Sequence, residues 1–263
     1  SIAGAKLATT FHPRIPRYGV LEHEQERLGV TASLQYAPSK ATEINLDLLY
    51  ADFDATRTEN FLEAVSFSRT GANGKPQTIV KDGVIDAHGN LVYGVFDNVD
   101  IRSEARYDEL ATQFTQIGLS GSHRFNDKFS MSASVGRSES DFDNPIQTTI
   151  TLDRANTDNY VWDYRNNDRL PSFNYGFDVT DPANWTFANG LSEIRLRPQT
   201  ALNSIDSGNL EFKLNLSPGF RLTGGWNTKR YEFETTESRR TSETVVPNLP
   251  AGTSLADLTT LIS

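Results

Sequence analysis

Residues Arg27 to Tyr36 alternate strictly in character: Leu28, Val30, Ala32, Leu34 and Tyr36 on one phase, Arg27, Gly29, Thr31, Ser33 and Gln35 on the other. Successive side chains of an extended strand point to opposite faces, so this pattern puts one face in an apolar medium and the other in a polar one. A short reversal, Ala37-Pro38-Ser39-Lys40-Ala41-Thr42, leads into a return run. There Ile44, Leu46, Leu48 and Tyr50 alternate with Glu43, Asn45 and Asp47. Proline and serine suit a tight change of direction. The same device recurs twice. Ile117 and Leu119 lead through Asn126-Asp127-Lys128 to Phe129, Met131, Ala133 and Val135, whose partners on the other phase are serines and Gly136. Leu210, Phe212, Leu214 and Leu216 then lead through Ser217-Pro218-Gly219 to Phe220, Leu222 and Trp226. Together they predict three antiparallel hairpins with tight turns.

The connections between hairpins are long, and loops of more than about 15 residues are unusual in a compact domain. Short turns at one end and long loops at the other are the asymmetry of outer-membrane β-barrels. The expected fold is therefore all-β: a segment of an antiparallel up-and-down transmembrane barrel, about six strands in hairpins near 26–54, 113–140 and 204–234. Long extracellular loops are expected near 57–112, 141–203 and 235–263. Thr78 to Val80, Leu91 to Phe96 and Thr148 to Leu152 are candidate extra strands within them. Lys81-Asp82-Gly83 and His88-Gly89-Asn90 are the candidate turns. A mean hydropathy of -0.48 argues against a membrane helix, but barrel strands alternate and keep their average low. A soluble β-sandwich shows the same periodicity when a second sheet covers the apolar face. Against it stand the freely charged opposite face, the one-sided connections, and rings near strand ends (Tyr36, Tyr50, Phe125, Phe129, Phe220), as in interfacial girdles.

Pro13-Arg14-Ile15-Pro16-Arg17-Tyr18-Gly19, the run from Arg27 to Ser39, Asn98 to Tyr107 and Phe142-Asp143-Asn144-Pro145 resemble stretches of TonB-dependent outer-membrane receptors, most closely a subgroup linked to carbohydrate uptake. The resemblance implies a barrel of about 22 strands around a plug, driven by an inner-membrane TonB complex through a peptide near the receptor's N-terminus. No plug, no energy-coupling box near Ser1 and no final strand ending on an aromatic residue is found in the 263 residues. The expectation is a wall segment with cut ends, in the cell outer membrane. Its partners would be lipid, the plug, the remaining strands, the TonB complex and an oligosaccharide or other bulky nutrient. Alternatives are an iron-chelate receptor of the same architecture, a passive porin, a soluble all-β binding module and, more remotely, a polysaccharide-degrading enzyme.

No catalytic constellation, cofactor motif or metal-ligand spacing is evident. His12, His23, His88 and His123 are scattered, there is no Cys, and Asp52/Asp54 and Asp141/Asp143 read as solvated loop carboxylates. The net charge of -9 disfavours nucleic acid. Candidate ligand residues lie in the second long loop: Tyr160, Trp162, Tyr164, Arg165 and Trp185. Rings stack on sugar C–H faces, and neighbouring amides and carboxylates meet the hydroxyls; the same rings suit a small loop core. Arg27, Gln35, Asn45, Asp47, Glu211 and Lys213 are expected to face the lumen. An isolated segment with unpaired edges is expected to oligomerise or depend on detergent. Leu46→Arg should impair assembly into bilayers by about 2–4 kcal/mol while Asn45→Arg is tolerated. Heat-modifiable gel mobility after refolding into liposomes reads the difference, and equal tolerance would contradict the assigned facing.

Overall fold

The computed structural model of the chain describes residues 10–68 and 78–262. Six long strands run as an antiparallel meander: β1 (Arg17–Ser39), β2 (Thr42–Ala64), β5 (Val99–Arg124), β6 (Phe129–Thr157), β10 (Gln199–Ser217) and β11 (Phe220–Glu237). Each pairs only with its neighbours in that order, and a short strand, β9 (Ile194–Leu196), adds to β6. The chain is all-β and antiparallel, and the sheet does not close. Among the described residues the outer edges of β1 and β11 carry no strand.

Local chemistry explains the tight ends. Ser39 accepts a hydrogen bond from the Ala41 N–H in the first turn. In the second, the Asn126 side chain accepts from the N–H groups of Lys128 and Phe129, an Asx-type reversal. Gly219, at φ 90, supplies the left-handed residue of the third. All three turns lie at one end of the sheet. The opposite end carries the two long connections, which hold β3 (Ile79–Ile85), β4 (Leu91–Asp97), β7 (Tyr160–Asp163) and β8 (Ser172–Asn174). These form a second sheet in the order β3-β4-β7-β8, so the connections are joined by the β4–β7 ladder.

The buried apolar core sits almost entirely at this end. Phe96, Val99, Ile101, Tyr160, Trp162 and Ala64 are fully buried, with Phe67 and Phe173 packed against them. Phe96 and Trp162 lie 4.5 Å apart, and the Trp162 indole donates to the Leu91 carbonyl at 3.3 Å. A buried ion pair ties the cap to the wall. Arg102 donates to Asp153 at 3.0 Å and to the Leu191 carbonyl at 2.6 Å, and Ser192 donates to the same carboxylate at 2.7 Å.

The strands extend beyond the hairpins expected from sequence. Residues 57–64, 99–112 and 141–157, expected in loops, continue β2, β5 and β6. Thr148 to Leu152 belongs to β6, and Lys81-Asp82-Gly83 is a bulged part of β3, whereas Gly89 does make a turn at φ 86. Asp52/Asp54 and Asp141/Asp143 therefore lie on strands. The reason is shared: beyond Tyr50 and Val135 the apolar residues thin out and no longer keep one phase, and the hydropathy contrast that marks a strand disappears. Trp162→Ala should destabilise the cap by about 3–5 kcal/mol. Hydrogen exchange would then accelerate in β4 and β7 and stay unchanged in residues 115–135; uniform acceleration would contradict a separate cap core.

Candidate functional site

The register defines the two faces of the wall. Ala32, Leu48 and Ile117 stand in one cross-strand row that continues through Arg137 and Asp206 to Arg230. The neighbouring row runs Leu34, Leu46, Leu119, Val135, Gly208, Thr228, and the next runs Tyr36, Ile44, Gly121, Ala133, Leu210, Trp226. One row further, Thr42 and His123 lead to Met131 and Phe212. The apolar side chains thus form a band crossing all six strands on one face, and the band runs oblique to the rows. Its centre is near Ala32 on β1 and near Thr223 on β11, although the row partner of Ala32 is Arg230. The displacement is about seven residues over five strand-to-strand steps.

Among the described residues no second layer covers this band. Leu34 is 64% exposed, Val135 59% and Trp226 63%. Phe212 lies across Gly224, where a Cβ would stand 2.5 Å from the ring, so a larger residue there would displace the ring. Beyond the band, on the same face, carboxylates predominate: Glu24, Glu26, Asp54, Glu109 and Asp143 line an open depression of about 500 Å³. Among the described residues no group of three or more His, Asp or Glu is arranged to hold a metal ion, and no helix is long and apolar enough to cross a membrane.

The opposite face is polar, and all six residues expected to line a lumen share it. Arg27 lies over the Phe53 ring at 4.9 Å. Gln35 stands opposite Asn45, and Ser33 donates to Asp47 at 2.6 Å. Glu211 and Lys213 pair at 2.7 Å beside an open depression of about 450 Å³ at the turn end, lined also by Glu43, Ser122, Arg124 and Ser132. Nearer the cap, Asp108 is fully buried and accepts from Arg57 at 2.7 Å and from Arg106 at 3.0 Å. Highest on this face, Arg17 pairs with Glu63 at 3.4 Å.

The loop residues expected to contact ligand are divided by the fold. Tyr160 and Trp162 are fully buried in the cap core and present no surface; burial holds the Tyr160 phenol well above its ordinary range. Tyr164 packs against that core, and Trp185 donates to the Val179 carbonyl at 3.0 Å with its ring edge on Phe177. Arg165 stacks on Tyr93 at 3.9 Å and forms a fork with Asp163, whose carboxyl falls to about 2 under those hydrogen bonds. Sequence reasoning missed a second aromatic group. Phe53, Phe114, Phe142, Tyr231 and Phe233 occupy the polar face, in three adjacent rows. Their signal was phase: each lies on the polar phase of its strand.

No protein-family model matches the chain, and no curated protein matches it.

Burial raises the Glu63 carboxyl, with Arg17 opposing the shift. A carboxyl raised on folding favours the protonated folded state, so its contribution is present below the unfolded value of 4.5 and is lost as pH rises through the folded one. Glu63→Gln should flatten this decline in urea melts as pH rises above 4.5. An unchanged slope would contradict the assignment.

Proposed function

We propose that the chain is a wall segment of an energy-coupled receptor of the outer membrane, resembling TonB-dependent receptors, which imports a bulky nutrient. The observation that carries this reading is the oblique, uncovered apolar band. Barrel strands tilt about 35–45° from the membrane normal. With strands about 4.8 Å apart and about 3.3 Å per residue, a level slab shifts by about five to seven residues over five steps. The band's displacement matches the upper part of that range. Lipid would then take the place of a second protein layer, and the open edges of β1 and β11 would pair with further strands of the same protein.

The proportions support a receptor over a simple pore. A barrel strand crosses the bilayer in about 9–11 residues, whereas β5 has 26 and β6 has 29. More than half of each would project outward, carrying the cap as an extracellular structure. The polar face would line the lumen and meet the plug. Uptake would proceed by capture at the projecting end, followed by plug rearrangement driven from the inner membrane. An oligosaccharide is favoured over an iron chelate because rings and neutral hydrogen-bonding groups, without an unpaired cationic cluster, occupy the polar face near the mouth. The reading assigns the chain no catalysis and no cofactor.

Trp226 reports on the claim directly, because the other two tryptophans, Trp162 and Trp185, belong to the cap. In bilayers with brominated acyl chains, part of the fluorescence should be quenched, and Trp226→Phe should abolish that part. Quenching absent from the parent, or unchanged in the variant, would overturn the proposal.

A further inference from the structure

We infer that the polar face of the wall, just beyond the level of the apolar band, carries a stacking site for a neutral oligosaccharide, built on Phe53, Phe114, Phe142, Tyr231 and Phe233. The inference rests on the receptor reading, because it places these rings at the mouth of a lumen. Phe53 stands opposite Thr112, Thr112 opposite Phe142, and Phe114 opposite Ser140, so the rings step across β2, β5 and β6 in two adjacent rows. Phe233 lies in the row of Phe114, and Tyr231 in the next, on β11. From β2 to β11 the group spans about 19 Å at ordinary strand spacing, room for several sugar rings.

Three features select the occupant. Tyr231 is 62% exposed and Phe233 68%, and Phe53, Phe114 and Phe142 are half-buried. Among the described residues none of the five packs on another ring; Phe53 instead lies under the Arg27 guanidinium. They are separate platforms, not a core. Hydrogen-bonding groups lie between them, with Gln116, Asn203 and Thr235 in the same three rows. Finally, Arg27 is the one formal charge in those rows. Toward the cap Glu237 pairs with Arg239 and Arg57 with Asp108, and the next row toward the turns carries one charge of each sign, Asp47 and Lys229. A site with rings, amides and hydroxyls but almost no net field complements a ligand with C–H faces and hydroxyls and no charge.

The test is calorimetric titration of the chain in lipid nanodiscs with linear neutral oligosaccharides of the malto, cello and xylo series. At least one series should bind saturably. Phe114→Ala and Phe142→Ala should each weaken it about fivefold, Phe114→Tyr should retain it, and Ile117→Ala on the apolar face should leave it unchanged. Absence of binding by every series, or equal affinity in the alanine variants, would overturn the site. Bromolipid quenching of Trp226 in the same samples separates the two claims: retained quenching with failed sugar binding removes the stacking site alone, whereas lost quenching removes the receptor reading beneath it.

Discussion

A sheet one layer thick with an apolar face must find an apolar medium for that face, and the rest of this structure follows from how the requirement is met. Lateral hydrogen bonds satisfy the strands' backbones, but they do nothing for Leu34, Leu48, Ile117, Val135 or Trp226. A soluble sandwich would supply a second sheet. Here the long connections, which alone have enough chain to make one, fold at the end of the wall around Phe96 and Trp162. The band stays uncovered, oblique and bounded by carboxylates toward the cap.

Division of labour between the faces follows from the same alternation. The apolar phase sets depth, and the polar phase is free to carry chemistry. Near the turns that chemistry is serine, asparagine and mixed charge. At mid-height it becomes aromatic, and below the cap it becomes a self-paired network around Asp108 and Arg102. Such buried pairs add little net stability but are costly to break. They suit a role in fixing where β2, β5 and β6 carry the cap.

What the sequence disclosed depended on contrast between the phases. From Leu28 to Tyr36 and Ile44 to Tyr50 the contrast is strong, and both strands and their facing were legible. From Asp52 to Asn60 and from Glu139 to Thr149 the apolar residues, Phe53, Ala55, Phe142 and Ile146, are sparse and do not keep the phase of the preceding apolar run, so long strands read as loops. Tyr160 and Trp162 misled for another reason. Their ring and amide neighbourhood suits a binding loop, and only the β4–β7 pairing, between segments some 65 residues apart, reveals a core. Phe53, Phe114 and Phe142 were each unremarkable alone, and the registers bring them into two adjacent rows. The turn at Gly89 was readable because its geometry is local.

Depth along a single row tests the central claim most directly, and the absence of native cysteine makes it accessible. Nitroxides at single introduced cysteines in bilayer-reconstituted protein would be compared for oxygen and nickel-chelate collision rates. A tilted wall in hydrocarbon predicts deep immersion at position 117 and headgroup-level immersion at its row partner 137, with position 131 deep and its row partner 123 shallow. Equal depths within each row, or high chelate accessibility at both 117 and 131, would contradict it.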